Sequence, residues 1–270
     1  MRVFGKNLWQ LLLQVNGWLL YVLSFIYFHF GIIAIKLRSD ETVRFRPLIG
    51  EHLFIVFNAP SASLQDLSGL NGDMAMFVNR GFVHPQYGIV KPSFHAFVDT
   101  KLISGEWPVS WLDDILRINP GVRFVMPYSW SGNEIFRPYL ERGVPFIWIH
   151  PRFYLQSLGV SGFCFQFGIE CGVKNIYFTG FEATGIAHEI AGSASHFYGT
   201  NQENHAKTSV DYAQDLYMHS RHLLSLGEFD TYAKSRGVAI TNCTNGGILD
   251  MFDRSELTEV LKRLSFKGVS

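Results

Sequence analysis

A series of short apolar segments runs from residue 52 to residue 243, and each is closed by a small or polar residue. They are HLFIVFN (52–58), DMAMFVN (73–79), SFHAFVD (93–99), VRFVMPY (122–128), PFIWIHP (145–151), NIYFTG (175–180) and GVAITNC (237–243). Strands buried on both faces read as continuous apolar runs of this length rather than as strict alternation. Helical patterns separate the runs. Trp111, Ile115 and Leu116 recur at helical spacing between Pro108 and Ile118, with NPG closing that stretch. Ser161–Cys171 is apolar at helical length, Lys207–Leu226 reads as a longer helix, and Arg254–Leu264 as an amphipathic one. Strands alternating with helices predict an α/β chain built on a mostly parallel sheet with helices on both faces. Residues 181–206, rich in Gly, Ser, Ala, Asn and His, read as a long irregular loop. A loop of that length inside a domain is usually functional or disordered.

The amino-terminal region has a different character. Between Lys6 and Lys36 there is no Asp, Glu, Lys or Arg. Leu8 to Ile35 spans roughly 28 residues, about 42 Å as a helix, against a hydrocarbon core of about 30 Å. Trp9, Trp18, Tyr21 and Tyr27 suit the interfacial positions of such a helix. The mean hydropathy of the whole chain is +0.10; without this segment the remainder averages about −0.07, an ordinary value for soluble protein. A cleaved signal peptide fits the segment poorly, because the apolar region is too long and lacks an A-x-A-like site before Lys36. A buried core helix is the alternative, although globular helices rarely run so long.

Residues 1–38 are therefore read as an N-terminal apolar membrane-anchor helix, spanning or partly in-plane. Residues 39–50 (SDETVRFRPLIG) form a polar connector, and 51–270 a Rossmann-like domain. Arg2 and Lys6 flank one end of the apolar stretch, and Lys36, Arg38, Arg44 and Arg46 the other. That small bias leans toward a domain on the cytoplasmic face, and leaves a monotopic arrangement as the alternative. The basic connector also suits an anionic bilayer surface.

Composition narrows the functional classes. Lys+Arg and Asp+Glu are equal at 23 each, so no overall field draws the chain to nucleic acid. Cys164, Cys171 and Cys243 form no CxxC pair and no zinc framework, which fits a reduced compartment. Neither GxGxxG nor GxxxxGK[ST] occurs, which speaks against dinucleotide and P-loop sites.

In open parallel sheets, ligands bind beyond the carboxyl ends of the strands. Those positions are Asn58-Ala59-Pro60-Ser61-Ala62-Ser63, then Asn79-Arg80, Asp99-Thr100-Lys101, Gly180 with Glu182, and Thr244-Asn245-Gly246-Gly247. Together they make a rim suited to a polar, nucleotide-containing ligand. The alternative for each Ser, Asn or Asp is simple capping of the following helix. Histidines gather late in the chain, at His188, His196, His205, His219 and His222. His196, in SASHFYGTNQ, is the candidate general base, with a structural role as its alternative. His219 and His222, at i and i+3, could share a metal. No carboxylate or cysteine completes a zinc spacing, so they read as solvated surface histidines. Neither a metal nor a cofactor is expected.

Several pieces, taken in order, carry a resemblance. FNAPSASL (57–64), MFVNRGF (76–82), SGFCFQFGIECGVKNIYFTGFE (161–182), SHFYG (195–199) and NCTNGGILDMF (242–252) resemble the bacterial sialyltransferases that use CMP-sialic acid on lipooligosaccharide. They are also similar to the wider motility-accessory and pterin-diphosphokinase-like group sharing that sheet. The likeness covers roughly residues 52–252 and leaves the apolar segment outside.

The resemblance implies roles. Asn58, Ala59 and Ser61 would lie against donor phosphate and sugar, and Asn79 would contact the donor. Asp99 stands where the family has asparagine. Ser161 and Gly162 would approach the nucleotide from a helix start, and Gly180 and Glu182 would hold ribose and base, with Glu replacing an aspartate. Asn245 joins the donor-binding set from the last strand end. The family's base histidine falls here on Thr200, so the resemblance leaves His196 or His205 for that role. Tyr198 is the tyrosine near enough to serve the leaving phosphate.

The expected function is a membrane-associated glycosyltransferase carrying a sialic-acid-like sugar from a CMP-activated donor to a surface glycan or lipid-linked acceptor. Two alternatives stand beside it. One is a pterin-pyrophosphokinase-like phosphotransferase with Mg²⁺ on carboxylates such as Asp99 and Glu182; the other is a non-catalytic, membrane-tethered glycan-assembly protein. Nucleic acid is not an expected partner, and a homo-oligomer is compatible with the sequence.

Overall fold

Every strand predicted from an apolar run is present, in one eight-stranded parallel sheet. The computed structural model describes residues 50–150, 155–199 and 207–267. In chain order the strands are β1 (His52–Val56), β2 (Ala75–Val78), β3 (Phe94–Ala96), β4 (Arg123–Pro127), β5 (Phe146–Ile149), β6 (Asn175–Thr179), β7 (Ala239–Asn242) and β8 (Asp253–Arg254). The helices are α1 (Tyr87–Val90), α2 (Lys101–Ser104), α3 (Trp111–Ile118), α4 (Arg137–Glu141), α5 (Leu155–Glu170), α6 (Gly185–Ile190), α7 (Ser209–Ser235) and α8 (Leu257–Lys267). The strand order is β5-β4-β3-β2-β1-β6-β7-β8, and every pairing is parallel. The sheet is therefore more uniform than the mostly parallel one expected.

Alternate residues of each strand face opposite sides, which explains the unbroken apolar runs. Phe54, Val56, Phe77, Phe124 and Met126 join Leu112 and Ile115 of α3 and Leu257 and Val260 of α8 in one buried cluster. On the other face, Phe94 meets Phe167 and Phe178 meets Phe165, both from α5. Phe165 also meets Phe229 of α7. Helices thus cover both faces, and each fully buried aromatic contributes about 1.5–3 kcal/mol of transfer free energy.

Three expectations need correction. The stretch 181–206 is not irregular throughout, because α6 lies within it and a small bridge joins His196 to Gly199. The helix expected to end at Leu226 continues to Ser235. Its apolar stripe persists past Gly227 through the buried Phe229, Tyr232 and Ala233, and its start is fixed by a capping box between Thr208 and Asp211. The final helix begins at Leu257 rather than Arg254, because Asp253 and Arg254 pair with β7 as an edge strand.

The chain divides into two units, Met1–Thr42 and Val43–Ser270, and the described residues belong to the second. The expected anchor helix at 1–38 and most of the connector lie outside the described residues. No helix among the described residues is long and apolar enough to cross a membrane.

Strand order determines where a ligand crevice can form. From β1 the chain steps outward to β5, and α5 then carries it back across the sheet to β6, beside β1 on the opposite flank. The order reverses between β1 and β6. Their ends are level, since Val56 pairs with Thr179. In open parallel sheets the carboxyl edge at such a reversal is the favoured binding crevice.

Candidate functional site

Residues 57–63 leave β1 at the reversal, and residues 180–184 leave β6 beside them. The two segments are tied together by their backbones. Phe57 N–H donates to the Thr179 carbonyl at 2.9 Å, and Ala59 N–H to the Gly180 carbonyl at 2.8 Å. Gly180 has φ +68°, and a Cβ there would stand 2.5 Å from the Phe57 carbonyl oxygen. Only glycine allows this approach. Pro60–Leu64 then forms a 3-10 turn. Neither Ser61 nor Ser63 caps it as the alternative reading supposed. Ser63 Oγ donates to the Pro60 carbonyl at 2.9 Å, while the buried Ser61 Oγ finds no partner among the described residues.

Glu182 occupies the start of that turn. Its Oε1 accepts the Ser61 N–H at 2.7 Å, and its Oε2 accepts from Thr184 Oγ1 at 3.3 Å. His188 Nε2 lies 3.8 Å from the same Oε2. The backbone N–H groups of Ala59 and Ser61, residues that the resemblance sets against donor phosphate and sugar, are therefore engaged within the protein. On the β7 side, Phe181 N–H donates to Thr244 Oγ1 at 3.2 Å, and Ile248 N–H to the Glu182 carbonyl at 3.0 Å. Asn245 is exposed on that turn.

The adjacent end of β2 contributes Asn79 and Arg80. Asn58 spans the gap, its Nδ2 donating to the Val78 carbonyl at 3.1 Å. Asn79 has φ +46°, a left-handed conformation unusual for a residue with a side chain. The chain is fixed there by His95, whose Nε2 lies 2.7 Å from the Asn79 carbonyl oxygen. A carbonyl only accepts, so Nε2 carries the proton, and Nδ1 is left to accept from Tyr87 Oη at 3.1 Å. Burial lowers the His95 pKa to about 4, the bond to Asn79 opposing that shift only in part. This imidazole is structural and neutral. The amide oxygens of Asn58 and Asn79 are both buried and without a partner among the described residues.

The segment Ser195–Gly199 is brought onto this edge. Phe197 N–H donates to the Asn58 carbonyl at 3.0 Å. The Phe197 ring meets His84 edge-on at 5.1 Å. His84 lies under the turn, its Nε2 3.2 Å from the Ala62 carbonyl, and burial lowers its pKa. His196 and Tyr198 stack at 4.9 Å. The Arg80 guanidinium lies 4.9 Å from the Tyr198 ring and 5.7 Å from the Trp111 ring.

The other candidates are placed differently. Ser161 and Gly162 are buried in α5, just after the chain departs from helical geometry at Gly159. Ser161 Oγ is 3.1 Å from His222 Nε2, and the His222 ring packs against Phe181 at 5.9 Å. Ser161 is thereby linked to the end of β6. His222 is not the solvated histidine expected; it is half-buried, on the stripe that continues through Leu226 and Phe229. That spacing was visible in the sequence but was masked by the neighbouring polar residues.

Asp99 Oδ1 accepts the Lys101 N–H at 3.1 Å just before α2, whose N-cap is Thr100. Its strand and that of Glu182 are three spacings apart in the sheet, about 14 Å. The two carboxylates do not form one metal site. Among the described residues, no group of three His, Cys, Asp or Glu side chains could hold a metal ion. His205 and Thr200 lie outside the described residues.

The arrangement offers unpartnered buried acceptors, one half-buried guanidinium, and an imidazole stacked on a phenol ring, all on one edge. It can bind a polar, anionic ligand and present a base beside it. The chain matches no protein-family model, no curated protein and no solved structure.

Proposed function

We propose that this chain is a membrane-associated glycosyltransferase that moves a sialic-acid-like sugar from a CMP-activated donor to a surface glycan or lipid-linked acceptor. The observation that carries the reading is the set of orphaned polar atoms beyond the adjacent ends of β1 and β2: Asn58 Oδ1, Ser61 Oγ and Asn79 Oδ1. Leaving a buried polar atom unpaired costs about 1–3 kcal/mol. Three such atoms at one strand edge favour a ligand that supplies their partners, and a nucleoside sugar is rich in hydroxyl and amino donors.

In the proposed reaction, the acceptor oxygen bonds to the anomeric carbon as the bond from that carbon to phosphate breaks. CMP leaves with the electron pair. His196 takes the acceptor's proton, and Tyr198, stacked beside it, orients the imidazole. Asn58, Ser61 and Asn79 hold the donor. The amino-terminal apolar segment would keep the site beside an amphiphilic acceptor.

The test is to incubate the detergent-purified full chain with CMP-sugars and follow CMP release and transfer to glycan and lipid-linked acceptors. Acceptor-stimulated CMP release supports the reading. Absence of binding to any CMP-sugar overturns it.

A further inference from the structure

We infer that Arg80 is the residue that recognises the negative charge of the ligand, taking the role that the backbone amides of the 59–61 turn do not fill. The inference deepens the proposed nucleotide site and rests on it for the identity of the ligand.

Arg80 lies two residues past the end of β2, at the edge where the unpartnered acceptors lie. Its side chain is half-buried. Its guanidinium has no hydrogen-bond or carboxylate partner among the described residues, although it presents five N–H donors. Tyr198 and Trp111 hold it by their ring faces, at 4.9 and 5.7 Å. Such contacts fix the plane of the guanidinium without consuming its donors.

Two backbone amides of the turn after β1 are already engaged. Ala59 N–H is bonded to Gly180, and Ser61 N–H to the Glu182 carboxylate. A Cβ on Gly81 would lie 3.1 Å from Asn58 Oδ1, so the orphaned amide oxygen faces the segment that carries Arg80. Planar, two-point recognition of phosphate or carboxylate is what arginine does best.

The experiment measures binding of CMP, cytidine and inorganic pyrophosphate to the full chain by calorimetry, in wild type and in the R80Q and R80K variants. The expected result is that R80Q weakens CMP by about tenfold or more while cytidine is unchanged. R80K should fall between, because an ammonium keeps the charge but not the fork. Equal weakening of CMP and cytidine in both variants would mean a structural role, and unchanged CMP affinity no role; either overturns the inference. Where neither CMP nor cytidine binds wild type, the CMP-donor reading fails. The charge-recognition inference then stands if R80Q abolishes pyrophosphate binding, and falls if pyrophosphate binding is absent or insensitive to the variant.

Discussion

The Glu182 carboxylate accepts the Ser61 backbone N–H at 2.7 Å, joining segments 121 positions apart in the chain. β1 and β6 are neighbours in the sheet, so residues just beyond their ends face one another across the reversal. A small-residue turn after a first parallel strand commonly leaves its amides open to a ligand anion. Here a side chain of the protein already supplies the negative charge.

That bond contributes to the fold, and its removal is measurable. Glu182→Ala leaves the Ser61 N–H without its charged acceptor and is expected to lower unfolding free energy by about 1–3 kcal/mol. Glu182→Gln retains a neutral acceptor and should cost roughly half as much. Urea unfolding of the three proteins under one set of conditions checks this. An unchanged midpoint in the alanine variant would refute the bond's contribution.

Gly180 makes a sharper case. Alanine there would combine φ +68° with contacts of 2.5 Å to the Phe57 carbonyl and 2.8 Å to Ala62 Cβ. Both neighbours belong to the turn after β1, which has no slack to yield. The expected loss for Gly180→Ala is roughly 3 kcal/mol or more. Thermal unfolding should show a clear drop in Tm, and nucleotide binding should weaken with it because the turn itself must move.

The strands were legible because burial on both faces leaves few polar interruptions, as in Leu53–Val56 and Ala75–Val78. β8 escaped notice because both its residues are exposed and it offers no apolar signal. α6 has no buried residue at all, so no periodicity marked it. Strand ends could be picked out one by one. What could not be read was which ends meet, since that depends on β1 pairing with a strand more than a hundred residues later. The sequence therefore reads Glu182 as a ligand contact and gives no sign that it partners Ser61. Arg80 was noted as a neighbour of Asn79, while the rings that hold it come from α3 and from the 195–199 segment.

Stability should fall on acidification over a window set by histidines. The folded-state pKa of His95 is about 4 because the ring is wholly buried, against about 6.5 in an unfolded chain. Between those two values the unfolded chain takes up a proton that the buried native ring does not, so acidification favours unfolding. The full stability is therefore present above about pH 6.5 and is lost progressively as pH falls toward 4, by about 3 kcal/mol in all. His84 shifts in the same direction, also through burial. Replacing His95 by Gln removes its share, so the variant's stability should depend less steeply on pH between 6.5 and 4. Equal slopes in denaturant titrations across that range would contradict the assignment.

The three cysteines should behave as core residues. Cys164, Cys171 and Cys243 are all buried and free, and burial pushes the Cys243 thiol up to about 12, with Cys164 and Cys171 shifted in the same direction. A thiol held protonated is a poor nucleophile. An aromatic disulfide reagent at neutral pH is expected to leave all three unmodified in the folded chain and to react with them after denaturation. Rapid reaction of any one in the native protein would show that its cover opens.

His196 provides the most direct test of the proposed chemistry. Its neighbour Phe197 is fastened to the Asn58 carbonyl at 3.0 Å, so the imidazole is carried by a segment docked beyond the carboxyl end of β1. Removing a general base typically lowers turnover by about 10²–10⁴-fold. His196→Ala is expected to reduce kcat for transfer within that range while leaving donor KM nearly unchanged, because the binding groups Asn58, Ser61 and Asn79 remain. Tyr198→Phe keeps the stacked ring and should lose far less than Tyr198→Leu, which removes the platform for both His196 and Arg80. His205→Ala, measured in parallel, separates the two histidines that the sequence left in contention. Full turnover in His196→Ala together with loss in His205→Ala would move the base to the later residue, and full turnover in both would remove these two histidines from the mechanism.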